Sequence, residues 1–206
     1  MTTPVLARRA LGLGAFTITY NVLEGIVAVT AGVVAGAVSL VGFGLDSGIE
    51  VISAVIVVIR LSAEVRGVEP DERKEKLALR AVALTFFLLA GYLVIVGIRD
   101  LATGETPETS VVGIVLTALS IVIMPTLAWA KRRIGLQMGS ALVVADAAET
   151  RLCAILSVTT FANLLAYLLL GWTWLDPIAG FVIAIFAIME GREAWKGELV
   201  EDHEHH

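Results

Sequence analysis

Residues 36–61 read GAVSLVGFGLDSGIEVISAVIVVIRL. The run exceeds the roughly 20 residues that a helix needs to cross a bilayer. Only Asp46, Glu50 and Arg60 carry charge in it. Arg60 lies at the end, where a long cationic side chain can reach the interface. Asp46 and Glu50 lie deeper, four residues apart, and that spacing puts them on one helix face. The stretch therefore reads as a membrane-crossing helix with two carboxylates on one stripe.

The rest of the 206 residues follows the same pattern, with 57% apolar residues, 17% charged residues and a mean hydropathy of +0.86. Soluble domains average about 45–50% apolar and about 25% charged. The composition excludes a water-soluble core and a disordered chain, and it fits an integral membrane protein. Six apolar stretches cover about 10–35, 36–61, 77–98, 110–130, 139–170 and 176–195. The expected fold is all-α, with six transmembrane helices forming a single transmembrane domain over 1–206. Residues 196–206 form a short acidic, histidine-bearing tail, and no cytoplasmic domain is expected. Gly32 and Gly36 mark the first turn, and Gly32-x-x-x-Gly36 reads as a helix-packing face. A charged segment from Glu64 to Lys76, with Pro70, forms the next loop. Arg99–Thr109 and Gly171-Trp172-Thr173-Trp174 form two others, the latter at interfacial depth. Pro125 should kink the fourth span or free a carbonyl.

The basic residues set the orientation. With six spans, one side collects Arg8, Arg9, Arg60, Arg66, Arg73, Lys74, Lys76, Arg80, Lys131, Arg132, Arg133, Arg192 and Lys196. The other side has Arg99 alone, and Arg151 falls inside a span. The asymmetry puts both termini in the cytoplasm. The expected location is a bacterial inner (plasma) membrane, crossed several times. Arg8-Arg9 before an apolar run also opens a signal peptide, but this run is too long and contains Asn21 and Glu24.

Six ionisable residues lie within the spans: Glu24, Asp46, Glu50, Asp146, Glu149 and Arg151. Each costs about 2.5–3.5 kcal/mol at a helix centre, hence on the order of 15–20 kcal/mol for six unpaired ones. Five are acidic, so Arg151 can neutralise one of them. The remaining four call for a cation, protons or both. Asn21 and Glu24 are spaced i, i+3, as are Asp146 and Glu149, and Cys153 lies four beyond Glu149. Three helices each present a pair of oxygen or sulfur ligands. Two facing helices could close a four-coordinate site with bonds of about 2.0–2.3 Å, most naturally Asp46 and Glu50 from one with Asp146 or Glu149 from another. The bland readings stand beside this one. Glu24 and Asn21 can serve as hydrogen-bonding glue between helices, and Cys153 as a small buried hydrophobe.

No histidine lies in a span; His203, His205 and His206 end the chain among Glu201, Asp202 and Glu204, a metal-attracting tail or a solvated terminus. One cysteine excludes a disulfide framework and cysteine-rich zinc sites. A net charge of −5 and a pI near 5.2 point to no nucleic-acid partner. No nucleophile–base pair, phosphate-binding loop or metalloprotease motif appears, so an enzyme is not expected.

At this point four stretches resemble the cation diffusion facilitator (cation efflux) family. Ser39–Glu50 is similar to its second helix, with Asp46 at the His/Asp position and Glu50 at the final Asp. Ser140–Glu149 resembles its fifth helix, with Asp146 at the first Asp, Glu149 in place of a histidine and Cys153 in place of the last Asp. Asp176-Pro177-Ile178-Ala179-Gly180 matches the opening of its sixth helix. Asn21-Val22-Leu23-Glu24 resembles the N-x-x-E of a branch that lacks the C-terminal cytoplasmic domain.

The resemblance implies a homodimeric, proton-antiporting exporter of divalent transition metal, with the dimer formed through the transmembrane helices. It implies Asp46, Glu50, Asp146 and Glu149 as metal ligands, then Glu24, with Cys153 and Asn21 as further candidates. Zinc leads, and manganese, iron or cobalt also suit a site where carboxylates and a thiol replace histidine and aspartate. The metal is cargo; no prosthetic group is expected. Alternating access around a midplane site is the expected mechanism. Two other readings remain open: a metal-independent proton-coupled transporter or proton channel, and a structural or accessory membrane protein.

Overall fold

A computed structural model describes residues 3–35, 38–66, 72–104, 110–171 and 175–196. These residues form six helices and no strand. They are α1 (Thr3–Ala35), α2 (Val38–Val65), α3 (Glu72–Thr103), α4 (Val111–Met138), α5 (Ala141–Leu170) and α6 (Leu175–Lys196). Five of them, α1 to α5, are long and apolar enough to cross a membrane. In α6, Asp176 at one end and Glu190, Arg192, Glu193 and Lys196 at the other leave no equally charge-poor run. Gly36, Pro70, Trp172, Trp174 and the terminal histidines lie outside the described residues.

α3 runs five residues past its expected span at each end, taking in Glu72–Lys76 and Arg99–Thr103 that the sequence reads as loop, and the largest shift of a single boundary is at α4. The sequence places its end at Ala130, before Lys131-Arg132-Arg133, but the helix runs two further turns to Met138. Gly139 then stops it with φ 62°, and its N–H caps the carbonyls of Gly135 and Leu136. That left-handed conformation suits glycine. The turn is so short that α5 must return antiparallel beside α4. α4 also continues through Pro125 as one helix, with the Thr126 hydroxyl donating to the Val122 and Ile123 carbonyls at 3.2 and 2.7 Å.

Three helix pairs build the bundle: α1 with α2, α4 with α5, and α3 with α6. α5 is the central element, touching α2, α3, α4 and α6, and every residue from Leu142 to Thr150 is buried. The core includes Leu40, Phe43, Phe86, Leu89, Leu152 and Ile183. Large apolar side chains such as Leu23, Ile59, Leu88, Val122 and Ile185 face outward. In lipid such residues are at no disadvantage, so close packing and internal hydrogen bonds hold the helices together.

Candidate cation site

The bundle buries polar groups that an apolar medium penalises. Asn21, Glu24, Asp46, Glu50, Asp146 and Glu149 are each at most 3% exposed. All lie on α1, α2 and α5, and they fall into two groups.

The first group surrounds Glu24. One of its oxygens accepts from Ser47 on α2 at 2.9 Å, and the other accepts from Ser120 on α4. The Tyr20 hydroxyl is 2.9 Å from the Ser120 hydroxyl. Asn21 donates to the Thr17 carbonyl of its own helix at 3.1 Å, and its Oδ1 has no partner.

The second group joins α2, α4 and α5. The Lys131 ammonium lies 2.8 Å from Asp146 Oδ2 and 4.0 Å from Glu50 Oε1. It donates to the Thr150 hydroxyl at 2.9 Å. That hydroxyl lies 2.7 Å from Glu50 Oε1 and 3.1 Å from the Asp146 carbonyl, and its one proton serves one of them at a time. Ser53 reaches Asp146 Oδ1 at 3.4 Å. Cys153 is buried beside Asp46 and Glu50 and also packs with Met124 and Leu127.

Several oxygens are left over. Asp46 Oδ2, Glu50 Oε2 and both Glu149 oxygens are buried without a hydrogen-bond partner. Ser53 and Thr85 lie near Glu149, but their hydroxyls donate to Asp146 and to the Val82 carbonyl. A buried unsatisfied polar atom costs about 1–3 kcal/mol, and more when charged. These oxygens are lone pairs pointing into the bundle with nothing to accept, which is the electronic arrangement a cation or a proton requires. Among the described residues, no three His, Cys, Asp or Glu side chains converge tightly enough to hold a metal ion.

Two residues stand elsewhere than the sequence suggested. Lys131, counted there with the basic end of a span, is 2% exposed and is the cation inside the acidic cluster. Arg151, expected to neutralise one of the five in-span acids, is 55% exposed and pairs with Glu190 on α6. Lys131 was legible in one respect. The buried stripe of α4 runs Gly113, Thr117, Ser120, Met124, Leu127, Lys131, Gly135, at steps of three or four, whereas Arg132 and Arg133 are exposed. Thr150, Ser47 and Ser120 carried no comparable signal. Side chains of Asp176 and Pro177 lie outside the described residues.

A bundle of long apolar helices that buries several carboxylates, some of their oxygens unpartnered, defines a polytopic membrane protein with a polar interior. Residues 15–199 match the family model of the cation efflux transmembrane domain, and the chain belongs to the cation efflux family of multi-pass membrane transporters. It is also similar to an uncharacterized transporter of Methanocaldococcus jannaschii, 27% identical over 176 residues, which cover 82% of this chain and 61% of that protein. The chain thus spans about three fifths of that relative's length.

Proposed function

We propose that this protein carries divalent transition metal, zinc first and manganese, iron or cobalt as alternatives, out of the cytoplasm in exchange for protons. The observation that supports it best is the set of unpartnered buried oxygens on Asp46, Glu50 and Glu149. Asp46, Glu50, Asp146 and Glu149 bind the metal, from facing α2 and α5. Glu24 assists from α1, with Asn21 and Cys153 at the margin. Metal and protons compete for the same oxygens, so each releases the other. The two-sided access this needs is a rearrangement of the helix pairs around the buried carboxylates.

The working arrangement is a homodimer joined through its transmembrane helices, with six spans and both termini in the cytoplasm of a bacterial cell. The terminal histidines raise the local metal concentration.

The test is uptake of zinc, manganese, iron and cobalt into liposomes under an imposed pH gradient. Wild type is compared with Asp46→Asn and Glu149→Gln, after both variants are shown to fold. Gradient-dependent metal flux that disappears in Asp46→Asn is the expected result. Absence of flux for every metal, with proton leak or none, overturns the proposal and leaves the carboxylates to a proton path or a structural role.

A further inference from the structure

Lys131 is the feature that metal carriage alone does not explain. A buried ammonium is costly to desolvate and is retained only with good partners. This one reaches from α4 to Asp146 on α5 at 2.8 Å and, through Thr150, to Glu50 on α2. It lies between the two helices whose carboxylates bind metal in the function proposed above, on which this inference rests. Three of the neighbouring carboxyls, on Asp46, Glu50 and Glu149, keep oxygens that accept from nothing. An ammonium is a compact point charge with three donors on a flexible stem, whereas a guanidinium is a broad planar fork. A point charge on a flexible stem can withdraw from a position that a metal ion then takes.

We propose that Lys131 is a tethered counter-cation that holds the place between Glu50 and Asp146 in the unloaded carrier and yields it to the transported ion. Cargo binding is then an exchange of one cation for another. The amine is attached, so its effective concentration at the site is high, about millimolar or above. A monovalent ion brings no more charge than the lysine it must displace. A divalent ion brings twice as much and can also engage the idle oxygens. Lys131 thereby selects by charge, rejecting sodium and potassium while weakening the divalent cargo enough for release.

Purified full-length protein in detergent is titrated calorimetrically with Zn²⁺, Mn²⁺ and Co²⁺, with and without Na⁺. Wild type, Lys131→Gln and Lys131→Arg are compared, with folding checked by thermal melting. Unit charges near 4 Å interact strongly at a partly screened site, so loss of the competitor should tighten divalent binding at least about tenfold. Na⁺ should then compete in Lys131→Gln but not in wild type, and Lys131→Arg should remain close to wild type in Na⁺ insensitivity. A folded Lys131→Gln with wild-type or weaker affinity and no Na⁺ sensitivity overturns the proposal. If Lys131→Gln does not fold, the neutral pair Lys131→Gln/Asp146→Asn is compared with Asp146→Asn, because removing both charges leaves neither member of that 2.8 Å ion pair alone. The double variant should bind more tightly than the single one, and equal or weaker binding overturns the proposal. Metal binding by wild type with no change on removing Lys131 defeats this inference alone. Failure of wild type and every variant to bind any of the metals defeats the proposed function with it.

Discussion

At the scale of single residues, hydroxyls hold the acids in place. Ser47 is fully buried and donates at 2.9 Å to Glu24 on the neighbouring helix. Ser47→Ala removes that donor and leaves Glu24 Oε2 short of a partner. The expected loss is about 1–3 kcal/mol, read as a lower unfolding midpoint in detergent. Thr30→Ala is the comparison. Its hydroxyl is exposed and bonds only to the Ile26 carbonyl one turn back, so its effect should stay within about 0.5 kcal/mol. A Ser47→Ala midpoint no lower than that of Thr30→Ala would show that the contact contributes nothing. The same contrast explains what could be read from sequence. Glu24, Asp46, Glu50, Asp146 and Glu149 stood out because charge within a span is costly, and all five are buried. Ser47, Ser120 and Thr150 did not, because a helical Ser or Thr usually bonds to its own backbone, as Thr17 and Thr117 do. Lys131 was hidden by its neighbours: in Lys131-Arg132-Arg133 only the helix register separates the buried cation from the exposed ones.

At the scale of helices, glycine brings the pairs together. A Cβ on Gly44 of α2 would lie 2.7 Å from Val29 Cγ2 and 2.9 Å from the Val29 backbone nitrogen on α1. A Cβ on Gly25 of α1 would lie 3.0 Å from the Gly44 carbonyl. The two backbones are thus in mutual contact one turn from Ser47 and Glu24. Gly44→Ala must push α1 away from α2, at an overpacking cost of about 1–3 kcal/mol. It should also cut transport by stretching the Glu24–Ser47 bond. Gly48→Ala, four residues on, meets nothing within 4 Å and should stabilise α2 by roughly 0.5–1 kcal/mol. Melting of the two variants side by side checks the pair, and a shift of the same sign in both would refute the close-contact argument. Gly135 makes the matching approach of α4 to α5, where a Cβ would lie 3.0 Å from the Val144 nitrogen. The number of helices was legible from runs of apolar residues, since each run is as long as a bilayer is thick. Which glycines meet was not: Gly25, Gly44 and Gly135 make close approaches that the sequence did not single out, while Gly36, half of the pair it did, lies outside the described residues. Crossing points depend on the relative tilt of two helices, and neither helix encodes that alone.

At the scale of the whole molecule, the open question is whether α6 crosses the membrane as α1 to α5 are able to do. Its charged end argues against crossing, but its packing argues for it. α6 lies antiparallel along α3: Phe181 faces Gly97, Gly191 fits against Phe86 and Phe87, and Trp195 lies under the Arg80 guanidinium at 5.4 Å. The matched length on α3, from Gly97 back to Arg80, is about 25 Å at 1.5 Å per residue, most of a hydrocarbon core. A helix held along that length of a partner able to span is expected to cross with it. Apart from Asp176 at its start, its charges then gather in the last two turns, where Glu190 is paired with Arg151 and the others can reach the interface. Burial of Lys131 removes one of the thirteen basic residues assigned to the cytoplasmic side and leaves the bias intact. Single cysteines test the whole topology. The native Cys153 is 1% exposed and should stay silent to a membrane-impermeant maleimide. In intact cells, Thr103→Cys should label from outside. Gln137→Cys and Lys196→Cys should label only after the membrane is permeabilised. Labelling of Lys196→Cys from outside would leave α6 on the outer surface and reduce the crossings to five. Labelling of Gln137→Cys from outside, with Thr103→Cys protected, would invert the protein and with it the direction of the transport proposed above.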